Sequence, residues 1–430
     1  MKGKPVSKIN TNALSKDQSK ATDDFMDFLL DSQQKYFVIQ GAAGSGKSYL
    51  MQYLLDTYES RYKAYNLLLN KQHRKQYFIT LAASTNKAAR VMQNFVGDAH
   101  EVRTLHSVLG LRVVNNTKTG KTELHPKDSD TITNTLMFVD EASFIDEELF
   151  SYLDGKTLAN CKIVLIGDAY QLAPVGSEFS VMETLGCNKT TLSTILRNSG
   201  DIAKTSAQLR ETVQKGQFKP IKYNTTSLIH ANGDDFKKLI NDCFLAPGWK
   251  PSDAKILAWT NSRVQEYNRY IRMLLQLPEK FQVGETVVTN SAILAKDHVF
   301  QIDTEVRITR FLGDTIKLDV PGRMIEIDNV YSSFLPDDFK QVKILLRQLA
   351  KEKNWKDYFM VKEKWFDLRS VYASSVHKSQ GSTYKRVFVD LGDIGRNWER
   401  LEVARLMYVA ISRASEQVIC NGSLPARYTA

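Results

Sequence analysis

Residues 36–48 read YFVIQGAAGSGKS, an apolar run that breaks into a glycine-rich loop and continues as the helical pattern YLMQYLLDTY. Gly41-Ala42-Ala43-Gly44-Ser45-Gly46-Lys47-Ser48 fits the pattern G-x-x-x-x-G-K-S/T in full. Glycines there let backbone N–H groups close around phosphate oxygens, and the N-terminus of the following helix adds its positive end. In that arrangement Lys47 reaches the β- and γ-phosphates of ATP, and Ser48 ligates Mg2+. The loop therefore calls for a strand before it, a helix after it, and a nucleotide held at the strand's carboxyl end.

Other apolar runs follow the same plan. Tyr77 to Ala83 leads into the helical pattern STNKAARVMQNFV, Leu136-Met137-Phe138-Val139 ends on Asp140, and Ile163-Val164-Leu165-Ile166 ends on Gly167-Asp168. Short apolar runs separated by helical patterns predict an α/β fold with a parallel sheet and crossover helices. Asp140 at a strand end suits the Mg2+ shell, and the adjacent Glu141 suits orienting or deprotonating an attacking water. In GDAYQLAPV, residues 167–175, the Gln171 amide can both donate and accept, which suits sensing a γ-phosphate.

A second strand–helix pattern starts at Lys255-Ile256-Leu257-Ala258-Trp259. Residues 285–330 are β-rich and the segment DDFKQVKILLRQLAKEKNWKDYF after them is helical, so an insertion interrupts a second α/β domain. The pattern resumes near Asp367 and includes SSVHKSQGSTY, residues 374–384. Val113-Val114, a turn-rich NNTKTGK and Thr122-Glu123-Leu124 predict a protruding β-hairpin.

Composition narrows the class. Lys plus Arg number 58 against 48 Asp plus Glu, a formal charge of +10 that favours polyanionic partners. Cys161, Cys187, Cys243 and Cys420 form no C-x-x-C pair, so neither a zinc site nor a disulfide framework is expected. The N-terminus lacks the apolar core of a signal peptide, and no run approaches membrane-spanning length. A soluble, cytoplasmic protein of a bacterial or phage-infected cell, with no membrane partner, is the expectation.

With these residues assembled, the chain resembles the superfamily 1 DNA helicases over nearly its whole length. Asp17-Gln18 is similar to the adenine-reading glutamine motif, and ASTNKAAR at 83–90 to the first DNA-binding motif, with Ser84 where proline is usual. TLHS at 104–107 matches the second DNA-binding motif, while DEAS at 140–143 and GDAYQLAPV match the acidic and glutamine motifs. Arg197 corresponds to the arginine between the two motor domains, and TNSRVQEYN at 260–268 to the opening of the second. In LMYVAISRA, residues 406–414, Arg413 corresponds to the arginine finger. Size, the short hairpin and the wording HKSQG resemble the 5′-to-3′ (1B) branch, and within it the Dda-type phage helicases.

The resemblance implies two RecA-like parallel-sheet motor domains that hydrolyse Mg-ATP between them while translocating on single-stranded DNA and unwinding forked or tailed duplexes. The first domain is expected over 1–109 and 133–198, with the hairpin as a strand-separating pin over 110–132. The second is expected over 199–284 and 365–430, with an SH3-like β-barrel and helical segment at 285–364. Thr85, Asn86, Lys87, Thr104 and His106 in the first domain, and Ser375, His377 and Lys378 in the second, offer the hydroxyls, amides and cations that hold phosphates without regard to sequence. Gln380 and Gly381 are expected toward the nucleotide. A monomer is expected, with a single-stranded-DNA-binding protein or other replication and recombination proteins as further partners. Two other readings fit parts of the sequence: an RNA helicase of the same superfamily, and a DNA-binding accessory protein switched by ATP. Trp259, Trp355, Trp365 and Trp398 are rings able to stack on bases, but burial is the default for aromatics and none is assigned to DNA.

Overall fold

The computed structural model describes residues 14–68, 76–115, 122–127, 130–172, 180–194, 200–294 and 299–428. The chain divides into two compact units, Met1–Arg112 with Pro126–Lys219, and Val113–His125 with Pro220–Ala430.

In the first unit the strands are β1 (Tyr36–Gly41), β2 (Phe78–Ala83), β3 (Val102–Thr104), β6 (Thr135–Asp140), β7 (Lys162–Gly167) and β8 (Asn188–Leu192). The hairpin strands β4 (Leu111–Asn115) and β5 (Thr122–Pro126) lie between β3 and β6 in sequence, but most of their residues group with the second unit, whereas the sequence placed them as an insertion in the first. Its helices are α1 (Lys16–Leu30), α2 (Lys47–Leu68), α3 (Asn86–Val96), the short α4 (Leu105–Val108), α5 (Glu147–Lys156), α6 (Val181–Thr184) and α7 (Asp201–Lys215). The sheet runs β3-β2-β6-β7-β1-β8, parallel throughout. Both faces are covered, which is why its strands read as unbroken apolar runs. Phe37, Ile39, Leu136 and Phe138 pack with Phe25, Leu29 and Leu54 of α1 and α2. Val38, Met137 and Val139 point the other way, to Leu105, Leu149 and Leu153 of α4 and α5. Register puts Thr104, Ala83 and Asp140 side by side, because Ala83 pairs with Thr104 on one flank and with Asp140 on the other. Three candidate segments thus leave the sheet from one rung.

The second unit holds β9 (Leu228–His230), α8 (Gly233–Phe244), β10 (Ala254–Ala258) and α9 (Asn261–Leu274), then a β-rich insertion. That insertion comprises β11 (Thr286–Thr289), β12 (Ile293–Leu294), β13 (Val299–Phe300), β14 (Glu305–Lys317), β15 (Val320–Ile327) and β16 (Tyr331–Pro336), followed by α10 (Phe339–Lys351) and α11 (Trp355–Lys364). Then come β17 (Leu368–Ser370), β18 (Ala373–Ser375), β19 (Tyr384–Asp390), α12 (Leu391–Ile394), α13 (Arg400–Ser412) and β20 (Ala414–Asn421). A parallel sheet β18-β10-β19-β20-β9 packs Ile256, Phe388 and Ile419 against Phe236, Ile240 and Ile271 of α8 and α9. The insertion forms an antiparallel sheet β16-β15-β14-β11-β17 around Val287, Ile308, Ile325 and Phe366. Among the described residues no helix is long and apolar enough to cross a membrane.

Two expected boundaries move. Residues 200–219, placed in the second domain by sequence, belong to the first unit. Arg210 of α7 lies 3.7 Å from the fully buried Asp168, and its guanidinium sits over the Tyr170 ring at 4.5 Å. The insertion also extends past 364, because β17 pairs with β11 through Val287–Ser370 and Val288–Arg369. Removing the cation beside a buried carboxylate takes away part of that charge's compensation. Arg210→Ala should therefore destabilise the first unit by about 2 kcal/mol in denaturant titration, whereas a change within about 0.5 kcal/mol would place α7 outside its fold.

Candidate functional site

The loop after β1 is shaped by its glycines. Gly44 and Gly46 have φ of 81° and 82°, a region that side chains with a Cβ rarely adopt. A Cβ on Gly41 would meet Ser45 Oγ at 2.4 Å and Leu192 Cβ at 3.0 Å, so the loop closes tightly only around glycine. Lys47 opens α2 and folds back over the loop, donating from Nζ to the Gly41 and Ala42 carbonyls at 2.8 and 3.0 Å. Ala42 is buried and Ala43 half-buried. Ser45 is buried with its Oγ lacking a hydrogen-bond partner, and Ser48 is exposed in the first turn of α2.

Gln18 is brought to this loop by α1. It is fully buried, and its Nε2 donates to the Gly46 carbonyl at 3.3 Å. Its Oε1 accepts from the Ser15 N–H at 3.0 Å while Ser15 Oγ accepts from the Gln18 N–H at 3.2 Å, a reciprocal helix cap. Asp17 next to it accepts from the N–H and hydroxyl groups of both Ser193 and Thr194. Those bonds, with the Ser193 hydroxyl foremost, hold the Asp17 carboxyl down at about 2.

At the end of β6, burial pushes the Asp140 carboxyl up to about 6, and the neighbouring Glu141 pushes in the same direction. The Glu141 N–H, donating to Asp140 Oδ1 at 2.9 Å, and the Lys47 charge pull the other way. Glu141 adopts φ 50°, ψ 38°, a left-handed conformation costing about 1 kcal/mol for a residue with a side chain. Its carbonyl accepts from the Phe144 N–H at 3.1 Å and from Ser84 Oγ at 2.7 Å, and the Ser84 N–H donates to the Asp140 carbonyl at 3.1 Å. Gly167 allows close approach from the other side, since a Cβ there would lie 3.1 Å from Ser143 N and 2.9 Å from Met182 Sδ. Gln171 is buried with Oε1 unpartnered and Nε2 at 3.5 Å from Asp168 Oδ2.

These residues fit a divalent cation of the hard, oxygen-seeking kind. A carboxylate lifted by burial and a strand-end hydroxyl-bearing helix supply oxygen donors, and among the described residues no group of three His, Cys, Asp or Glu is placed to hold a metal alone. Mg2+ suits such a sparse donor set, because it keeps several waters and shares its shell with phosphates.

The candidate DNA contacts lie at the carboxyl ends of the strands. Thr85 caps α3 by accepting from the Ala88 N–H at 3.2 Å, and the exposed Asn86 and half-buried Lys87 follow in its first turn. Thr104 caps α4 in the same way, and His106 sits in that helix with its pKa lowered by burial. In the second unit Ala258 pairs with Ser375, so the segments 260–263 and 376–381 leave one rung. Lys378 has partners in the insertion as well. Its Nζ lies 2.8 Å from Asn290 Oδ1 and 3.1 Å from Asp303, which ties the motif to the insertion. His377 stands 3.5 Å from Glu402, and burial lowers its pKa against that carboxylate.

The stretch 375–384 spans the height of the sheet, from the carboxyl end of β18 to the amino end of β19. Gly381, at φ 71°, makes the turn that carries it down, and Gln380 is buried with Nε2 unpartnered. Arg413 caps α13, with Nη1 donating to the Ser382 carbonyl at 3.3 Å and Nε to the Val409 carbonyl at 3.3 Å. Arg197, Pro174 and the hairpin tip at 116–121 lie outside the described residues. Of these tryptophans, Trp365 is buried, Trp259 and Trp355 are half-buried, and Trp398 departs from the default at 76% exposed, with Arg427 over its ring at 3.9 Å. Sequence reasoning passed over Asp168, Arg210 and the hydroxyl of Ser84. Asp168 lay inside a quoted motif and Ser84 stood out only as a departure from proline, whereas no local pattern flagged Arg210.

A phosphate loop between strand and helix and a half-buried acidic pair two strands away, in register with polar strand ends, define a P-loop nucleoside triphosphatase on a parallel α/β sheet. Residues 13–234, just over half of the chain, match the AAA domain family, and residues 370–420 match the UvrD-like helicase C-terminal domain. The chain is 22% identical over 451 residues to the ATP-dependent DNA helicase dda of Enterobacteria phage T4, covering 90% of this chain and 95% of that protein. It is 23% identical over 498 residues to protein R530 of Acanthamoeba polyphaga mimivirus, covering 93% and 98% respectively. A Pif1 helicase, solved to explain unwinding at forked double-stranded DNA by two coordinating Pif1 helicases, superposes with a TM-score of 0.52 at 16% identity, covering 97% of this chain and 94% of that one. The chain belongs to the AAA domain family and, with its UvrD-like helicase C-terminal domain and two RecA-like sheets, is an ATP-dependent DNA helicase similar to the Dda and Pif1 helicases.

The raised Asp140 carboxyl has a measurable cost. A folded state that keeps its proton up to about 6, against an unfolded value of 3.8, loses stability as pH rises through that window. In the absence of nucleotide and metal, Asp140→Asn should raise the unfolding free energy at pH 7 by on the order of 1–2 kcal/mol. The gain should vanish as pH falls toward 4, and a destabilised variant at pH 7 would contradict the assignment.

Proposed function

We propose that the chain translocates 5′ to 3′ on single-stranded DNA and separates the duplex it meets, using Mg-ATP hydrolysed at the loop after β1. The observation that carries this is the shared rung. Ala83 pairs with both Asp140 and Thr104, so the acidic pair and both candidate DNA segments of the first unit emerge together from one edge. A shift in one segment is then felt directly by the other.

In this reading the loop backbone, Ser45 and Lys47 bind the phosphates, and Ser48 and Asp140 hold Mg2+, which when bound neutralises phosphate charge. Glu141 orients the attacking water. Gln171 supports the same water or the γ-phosphate, since its buried Oε1 lacks a donor. Gln18 serves the adenine, Gln380 and Gly381 respond to the γ-phosphate, and Arg197 and Arg413 supply cations to the transferring phosphoryl group. Thr85, Asn86, Lys87, Thr104, His106, Ser375 and His377 hold the strand. Burial lowers the pKa of both histidines, so they serve phosphates at neutral pH as hydrogen-bond partners more than as charges. Lys378 braces the insertion as well as any phosphate it meets. The cytoplasm of a bacterial or phage-infected cell, a monomeric state and replication or recombination partners belong to the same proposal, as does the hairpin's role as a pin.

Matched duplexes bearing one single-stranded tail test it. With ATP and Mg2+ the 5′-tailed duplex should be unwound at least about tenfold faster than the 3′-tailed one, and Glu141→Gln should abolish unwinding by lowering turnover at least about 100-fold with nucleotide binding kept. Preference for the 3′ tail would reverse the polarity, and undiminished turnover in Glu141→Gln would relocate the chemistry.

A further inference from the structure

We infer that Ser84 is a positioning residue that couples the DNA-holding segment to Glu141, an inference that rests on the helicase reading above. Ser84 stands between the last residue of β2 and Thr85, the cap of α3. It makes two bonds to the acidic pair: its N–H donates to the Asp140 carbonyl at 3.1 Å, and its hydroxyl donates to the Glu141 carbonyl at 2.7 Å. The first continues the ladder between β2 and β6, where Ala83 pairs with Asp140. The second is extra, and it falls on the residue whose backbone is left-handed.

That position makes the hydroxyl consequential. A left-handed residue with a side chain persists only where its surroundings hold it. The Glu141 carbonyl is held on one side by the Phe144 N–H and on the other by Ser84. On the β7 side the turn after Glu141 packs against Gly167 too closely to admit a Cβ, so that side is set by contact. On the β2 side the hold is a single hydroxyl, one residue from the Thr85 cap. A phosphate drawing on Thr85 or the first turn of α3 shifts Ser84 with it, and through the carbonyl it re-aims the Glu141 carboxylate. Proline, usual at this position in the resemblance, would supply neither the N–H nor the hydroxyl. This chain therefore carries a hydrogen-bonded link of its own between DNA and the water-orienting glutamate.

The experiment compares Ser84→Ala and Ser84→Thr with the parent, using full-length protein and oligo(dT) as the probe. ATP turnover is measured without DNA and with saturating DNA, together with DNA affinity in the absence of nucleotide and the thermal midpoint. Ser84→Ala should lower the ratio of stimulated to basal turnover about fivefold, the effect of one hydrogen bond. Its DNA affinity should change less than about twofold, and Ser84→Thr, which keeps the hydroxyl, should retain the parent ratio. The coupling is overturned if Ser84→Ala keeps the parent ratio, if basal and stimulated turnover fall by the same factor, or if Ser84→Thr behaves as Ser84→Ala. A parent protein not stimulated by oligo(dT) would sink the helicase reading itself. A stimulated parent with an unaffected Ser84→Ala sinks only the coupling.

Discussion

Asp140 ends a strand covered on both faces by helices; the residue is half-buried, its carboxylate is partly desolvated, and a second carboxylate, Glu141, is the next residue. The protein gives it a backbone N–H from Glu141 and the more distant charge of Lys47, and its pKa still rises to about 6. A partly desolvated charge so thinly compensated is costly to the fold and favourable to any cation that can reach it. The surrounding features answer that constraint. Lys47, folded onto the Gly41 and Ala42 carbonyls, is a cation near at hand, and the loop's glycines leave room for phosphate oxygens beside it.

Parallel pairing then spreads the consequence. Because every strand of the first sheet runs the same way, the ends of β2, β3 and β6 share an edge, and register sets Thr104, Ala83 and Asp140 on one rung. The candidate DNA segment after β2 and the acidic pair after β6 are thus separated by one strand spacing, about 4.8 Å. The second sheet repeats the device with Ala258 beside Ser375, and the stretch after Ser375 descends to Tyr384 through the left-handed Gly381. His377 stays at the carboxyl edge beside Glu402, while the loop that follows reaches the Arg413 guanidinium through Ser382.

Much of this was legible in the residues alone, for a physical reason. Strands buried on both faces must be apolar throughout, so YFVI, LMFV and IVLI announce themselves, and a candidate site segment follows each. What stayed hidden depends on pairings between distant segments. Arg210 joins the first unit because Asp168 and Tyr170, some forty residues earlier, receive it. β17 joins the insertion by pairing with β11, which its three residues could not disclose. The tie of Lys378 to Asn290 and Asp303 needed the insertion folded beside it. Ser84 read as a departure from a pattern, and its two bonds to the acidic pair exist only once β2 and β6 are in register.

The idea that the half-buried Asp140 carboxylate awaits a cation is tested most directly by counting protons. Calorimetric binding of a non-hydrolysable, fully Mg2+-complexed ATP analogue, repeated in buffers of different ionisation enthalpy, gives the number released on binding. With a carboxyl at about 6 losing its proton to the arriving charge, release should approach about half a proton near pH 6 and fade to none near pH 8. A release that stays flat across that range would contradict the account.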